Sequence, residues 1–318
     1  MRGRIGSMLY LTGNTRPLES YAVSHLAGFV NEAKVSHLKN INVLIQQLKD
    51  TREIGIYFQG GCNLDYLYTF HDSSFKSERD SGSQMGICSY LGPEVTSDGH
   101  INGVSLIRWA SKRARRVCHS TLAAETLAST AALDSQAGLL FRLNEMGIFP
   151  KSVLLTDCRS LFEHVYAMTG KTAEILLPDI HELREATMPW RCALSENYRE
   201  NYVELWWVST NTQLADNFTK VATPSRNDFI RICTDNQVWI GKDFMRPRST
   251  QRAHSFGTFQ NIYFDVLLEI FHQDTAKCTC QNLSCQFGIG HQFCKTELDP
   301  LPQLRTEWEQ LFAEAEMS

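Results

Sequence analysis

The stretch STLAAETLASTAALDSQAGLLFRLNEMG, residues 120–147, constrains the fold more than any other part of the chain. It opens on a hydroxyl cap candidate, Ser120 or Thr121, and stops at Gly147, which suits a C-terminal cap. It therefore reads as one helix of about 26 residues. Glu125, Ala128 and Ala132 share a face by i, i+3 and i+7 spacing. Small residues there let the helix approach a sheet closely, so that Glu125 points at the sheet and not at water. An acid placed so needs a partner.

The neighbouring segments supply a sheet. YLYTFHD (66–72), QMGICSYLG (84–92) and VSLIRWAS (104–111) have extended periodicity and short links, which makes an antiparallel meander. The link PEVTSDGHING reads as a turn by its Pro, Asp-Gly and Asn-Gly content. SVLLTD (152–157) is a short buried strand, followed by the helix-like RSLFEHVYAM, and LPDIHELREATMPW is a further helix. YVELWWVS (202–209) is the last strand, before TNTQLADNFTK, read as a final helix. The order predicts an α/β fold, a mixed sheet with helices packed against it.

Residues 8–58 predict two amphipathic helices. Pro17 suits the N1 position of the first, with Leu18, Tyr21, Ala22, Leu26, Phe29 and Val30 at helical spacing. The second runs from Ser36 to Lys49, with Leu38, Ile41, Leu44, Ile45 and Leu48 on one face. Periodicity weakens past residue 225, and the region up to AHSFGTF reads as linker.

With 318 residues, 43% of them apolar, the chain predicts more than one domain. A formal charge of −4 excludes a global pull toward polyanions, so any such contact needs a local patch: Arg108, Lys112, Arg113, Arg115 and Arg116. Six of the ten cysteines are scattered singly, which suits a reducing compartment. The N-terminus lacks the apolar stretch of a signal peptide, and NIYFDVLLEIF is too short to span a bilayer. A soluble intracellular protein is expected, cytoplasmic or nuclear.

Three acids are placed to join Glu125: Asp72 ends the first strand, Asp157 the fourth, and Asp216 opens the final helix. Singly, each has a plainer reading: Asp157 and Asp216 as helix caps, Asp72 as a turn residue, Glu125 paired with an arginine. Together they cannot all stay ionised in contact, since each raises its neighbours' pKa. Divalent cations resolve that conflict. Mg²⁺ or Mn²⁺ suits oxygen ligands, and two ions about 3.5–4 Å apart can activate water and stabilise the leaving oxygen of a phosphodiester.

YTFHDSSFKS, RWASKRARRVCHSTLAAETLA, VLLTDCRSL and ELWWVSTNTQLADNFTK, in that order, resemble the ribonuclease H domain of copia-type retrotransposon polyproteins. The segment from Leu11 to Phe58, with its TRP triplet, is similar to the end of the reverse transcriptase in those polyproteins. The resemblance covers residues 8–222. It implies an RNase H-like mixed five-stranded sheet with helices on both faces, preceded by a short helical segment. The expected division is 1–58 (helical remnant), 59–225 (RNase H-like domain) and 226–318 (tail).

It also implies a metal-dependent endonuclease that cuts the RNA strand of RNA–DNA hybrids, with Asp72, Glu125, Asp157 and Asp216 as the acids holding two Mg²⁺ (or Mn²⁺) ions. The partners implied are the hybrid and the polymerase portion of the polyprotein, with no membrane. No Tyr-x-Asp-Asp turn occurs, so the chain cannot polymerise by itself. It looks like the C-terminal piece of a longer polyprotein, or a degenerate copy translated from an internal Met. Two departures stand out. Ser74 and Phe75 replace an Asp and a Trp that commonly follow the first acid. Leu177, Pro178, Asp179 and Ile180 correspond to a Lys-His-Ile-Asp stretch, with His181 close by but out of register.

The basic cluster lies just before the long helix, where it can hold phosphates, and Ser73, Ser74 and Ser120 are candidate contacts to the 2′-hydroxyl of the cleaved strand. The plainer reading of the cluster is a solvated loop. In the tail, Cys278, Cys280, Cys285, His291 and Cys294 form a candidate Zn²⁺ set, against a reading of unpaired thiols. QLRTEWEQLFAEAEM reads as an acidic amphipathic helix. Two rival functions stay open: a catalytically silent nucleic-acid-binding or structural remnant, and another nuclease of the same fold.

Overall fold

A computed structural model describes residues 1–58, 60–61, 63–166, 177–188, 202–221 and 223–247; the candidate zinc residues and the acidic C-terminal segment lie outside them. Strand β1 (Tyr66–Ser74) is the middle of the sheet and is buried on both faces. That explains its nearly continuous run of apolar and small residues. β2 (Gln84–Gly92) pairs with it antiparallel, and β4 (Ser105–Arg113) pairs with β2 antiparallel at one edge. On the other side lie β5 (Lys151–Thr156) and then β6 (Val203–Trp207), both parallel. The five-stranded order is β4-β2-β1-β5-β6. A three-strand meander continued by two parallel strands through helical crossovers is the RNase H-like fold, as the resemblance implied.

Alternation along the strands divides two cores. On one face, Ile87, Leu154 and Leu205 pack against α4 (Thr121–Glu145), α5 (Arg159–Tyr166) and α6 (Leu177–Thr187) through Ala132, Leu133, Leu161 and Ile180. On the other, Tyr68, Phe70, Tyr90 and Trp206 meet Phe218 and Phe229. α4 begins and ends as its sequence predicts: Ser120 Oγ accepts from the Ala123 N–H at 3.1 Å, and Gly147 takes φ +76°.

Three helices precede the sheet: α1 (Arg2–Asn14), α2 (Ser20–Ala27) and α3 (Val35–Asp50). Their shared core is Ile5, Met8, Val23, Leu26, Ile41, Leu44 and Leu48. They are tied to the sheet at its β4 and β2 side, where the Trp109 indole donates to Thr12 O at 2.6 Å and the Gln84 amide to Ser24 Oγ at 3.0 Å. α1 is not apparent in the sequence, because three glycines lower its helical propensity; packing of Ile5 and Met8 holds it. Pro17 opens a 3₁₀ turn (Pro17–Glu19) ahead of α2, which ends at Ala27 before Phe29 and Val30.

Three other expectations are corrected. The link read as a turn contains a short strand, β3 (His100–Asn102). The stretch beyond residue 225, read as linker, forms α7 (Arg226–Asp235) and β7 (Gln237–Trp239), which pairs with β3. Phe229 and Ile232 bury themselves in the sheet core, a short amphipathic signal that ten residues barely reveal. The final helix expected at TNTQLADNFTK is two 3₁₀ turns, Thr210–Thr212 and Leu214–Phe218, so Asp216 sits inside a turn and does not open a helix.

Candidate metal centre

Parallel pairing of Phe70 with Leu155 brings Asp72 and Asp157, each two residues further on, to the same end of the sheet. α4 crosses above them. Ala128 and Ala132 are fully buried, which lets the helix lie close to β1 and directs Glu125 inward, where it is 4% exposed. One oxygen each from Asp72, Glu125 and Asp157 lies within 4.8 Å of the others. Ser73 points toward α4, and its Oγ donates to Glu125 Oε1 at 2.8 Å, with its backbone N–H at 3.3 Å.

Asp216 reaches Asp72 from the other side, because the Leu214–Phe218 turn is pressed onto β2. Gly86, opposite Asp72 in register, makes that possible: a Cβ there would stand 2.5 Å from Ala215 O. Gln213 anchors the turn through its amide, which donates to His71 O at 3.0 Å. Thr219 Oγ1 donates to Asp72 Oδ2 at 2.5 Å. Lys220 Nζ is 2.8 Å from Asp216 Oδ1 and 3.8 Å from Asp72 Oδ2.

The charges crowd one another. Burial and then Asp216 push the Asp72 carboxyl up to about 7, against Lys220 and Thr219. Burial, then Asp72 and Asp157, hold Glu125 well above the usual carboxylate range. Burial and Asp72 also raise Asp157, opposed by hydrogen bonds from Thr210 and Gln213. Lys220 is raised although burial lowers it, because Asp72 and Asp216 favour its ammonium form. Glu125 Oε2 is buried and accepts no hydrogen bond among the described residues. A buried carboxylate oxygen without a donor, beside two further acids, fits a hard divalent cation.

Of the residues expected here, the structure brings together all four acids and Ser73. Ser74 ends β1, partly buried, and Ser120 is occupied as the α4 cap. The basic cluster is dispersed. Arg113 lies 3.8 Å from Asp80, and Arg116 lies 2.8 Å from Asp179 on α6, while Arg115 is exposed. Arg108 and Lys112, with Arg16, Arg52 and Trp109, line a cleft of about 910 Å³ between β4 and the N-terminal helical segment. Sequence reasoning missed Thr219 and Lys220, although Lys220 stands four residues after Asp216. It also missed His71, which is fully buried, has no hydrogen-bond partner for either ring nitrogen among the described residues and is pushed down to about 3 by burial, so it stays neutral.

The molecule is thus an RNase H-like domain with a three-carboxylate centre at the sheet end. Over 225 residues, 69% of the chain, it is 27% identical to the retrovirus-related Pol polyprotein from transposon RE1 of Arabidopsis thaliana. It is 26% identical to that from transposon RE2 over the same length. Its homologues are therefore retrotransposon Pol polyproteins, and it spans 14% of the length of each. No family model matches. Among solved structures it is similar to the N-terminal RNase H domain of rv2228c from Mycobacterium tuberculosis, fused to maltose-binding protein. That match has a TM-score of 0.32 and 15% identity, covering 54% of this chain and 97% of the other.

Proposed function

We propose that the chain is a metal-dependent endonuclease that hydrolyses the RNA strand of RNA–DNA hybrids as part of a copia-type retrotransposon polyprotein. The observation that carries this reading is the convergence of Asp72, Glu125 and Asp157 within 4.8 Å around a buried Glu125 oxygen that has no hydrogen-bond partner among the described residues. Those three residues, with Asp216 beside Asp72, would hold Mg²⁺ or Mn²⁺. When bound, such an ion neutralises the carboxylates, acidifies water and stabilises charge on a phosphodiester.

The chain's own residues have distinct tasks in this reading. Ser73 fixes the Glu125 carboxylate by two hydrogen bonds, and Thr219 fixes that of Asp72. Arg108 and Lys112 hold phosphates of the duplex along the β4 edge, with Arg113, Arg115, Arg116, Ser74 and Ser120 at its margin. His71, being neutral and sealed from solvent, packs beneath the acids and moves no proton. Residues 1–58 are the helical end of the polymerase, and the nuclease of 59–225 is completed by α7 and β7, whose Phe229, Ile232 and Val238 belong to the sheet core.

Incubation of the purified chain with labelled RNA–DNA, DNA–DNA and RNA–RNA duplexes in Mg²⁺ tests the substrate class. RNA cleavage confined to the hybrid is expected. Cutting of DNA–DNA duplex at a similar rate would point instead to another nuclease of this fold.

A further inference from the structure

Lys220 stands where a second cation would be expected. Its ammonium lies between Asp216, at 2.8 Å, and Asp72, at 3.8 Å. Asp72 therefore belongs to two groups: the three-acid cluster, and a pair with Asp216 already neutralised from within the protein. The i,i+4 spacing from Asp216 and the turn at Leu214–Phe218 place the lysine there. Its side chain is 43% exposed, so the ammonium has a short path to solvent.

We propose that Lys220 is a built-in, displaceable cation: the free protein takes one divalent ion, at Asp72, Glu125 and Asp157, and admits a second only once Lys220 has left the Asp72–Asp216 pair. The charge balance favours this. Four carboxylates match two divalent ions, and with the ammonium in place one ion leaves the centre a single charge from neutral. A second ion beside a seated ammonium would reverse the sign and face a like charge at contact distance. Lys220 is thus a positioning residue that sets how many ions the centre holds. The inference rests on the metal reading above.

Metal occupancy, and not cleavage, tests it. The metal-free full chain is titrated with Mn²⁺, the free ion being read by electron paramagnetic resonance, with Asp157→Asn as the blank for ions bound elsewhere. The wild-type chain is expected to hold one ion that the blank lacks, and Lys220→Met and Lys220→Gln are each expected to hold two. Lys220→Arg, which keeps the charge, should stay at one. Two ions on the wild-type chain, or one on folded Lys220→Met and Lys220→Gln, overturns the proposal and leaves the metal reading intact. Wild type indistinguishable from the blank overturns both.

Discussion

Thr219 Oγ1 donates a 2.5 Å hydrogen bond to Asp72 Oδ2 across 147 positions of sequence, so the far end of the domain closes onto its central strand at the acid cluster. The bond orients one oxygen of a carboxylate that repulsion from Asp216 would otherwise turn away. Thr219→Val keeps the shape and loses the donor. Hybrid cleavage should fall about tenfold, the cost of roughly one lost hydrogen bond to a charged group, with the thermal melt little changed. Cleavage at the wild-type rate would remove Thr219 from the site.

Burial, Asp72 and Asp157 oppose ionisation of Glu125, and a bound cation relieves that opposition. Glu125→Gln should abolish cleavage and, at pH 8, raise the Tm of the metal-free protein, because an acid that ionises only at a cost is replaced by a neutral amide. A melt in chelator checks the second part, and a lower Tm would contradict it.

The same crowding sets a pH dependence. An acid whose folded-state pKa lies above its unfolded value keeps its proton more tightly in the fold. Its contribution to stability is therefore full below the unfolded value of 3.8 and is lost as pH rises through about 7 for Asp72, with Glu125 displaced in the same direction. The metal-free chain should lose several degrees of Tm between pH 5 and pH 8. Saturating Mg²⁺, which favours the ionised forms, should reduce that slope; an unchanged slope would mean the acids do not bind the ion.

Gly86 is the contact point between β2 and the turn that carries Asp216. Gly86→Ala would put a Cβ 2.5 Å from Ala215 O and 2.9 Å from Phe218 Cβ. The turn must shift, at a cost of about 1–3 kcal/mol. A lower denaturation midpoint and weakened cleavage are expected together, and stability at the wild-type level would show that the turn seats less tightly.

Arg108 and Lys112 face the β4-edge cleft with no ion-pair partner among the described residues. Replacing both with Gln should weaken hybrid binding and lower the slope of log K against log salt by about 2, one for each phosphate no longer neutralised. Binding measured from low to moderate salt decides this, and an unchanged slope would put the hybrid elsewhere.

The core architecture was legible because its signals are local and strong. The strands at β1, β2 and β4, the capped α4 and the apolar β5 each announce themselves within ten or so residues, and their order leaves few ways to build a sheet. The acids were legible for a related reason, since strand ends and a lone carboxylate on an alanine face mark positions that topology brings together. The elements that escaped depend on tertiary contact. α1 overrides its glycines by packing on α2 and α3, β3 exists only through its pairing with β7, and the Leu214–Phe218 turn takes its shape from Gly86 beneath it. Lys220 escaped because nothing in its sequence context separates a site lysine from a solvated one; only folding puts Asp72 beside it.

The most direct measurement is cleavage of an RNA-labelled RNA–DNA hybrid by the purified chain in Mg²⁺ and in Mn²⁺, with the Asp157→Asn protein alongside. Cutting of the RNA strand by the wild-type chain and none by Asp157→Asn is expected, with hybrid binding retained in both. No cutting in either metal by folded wild-type protein, or equal cutting by Asp157→Asn, would contradict it and leave the carboxylate centre as a relic of a silent binder.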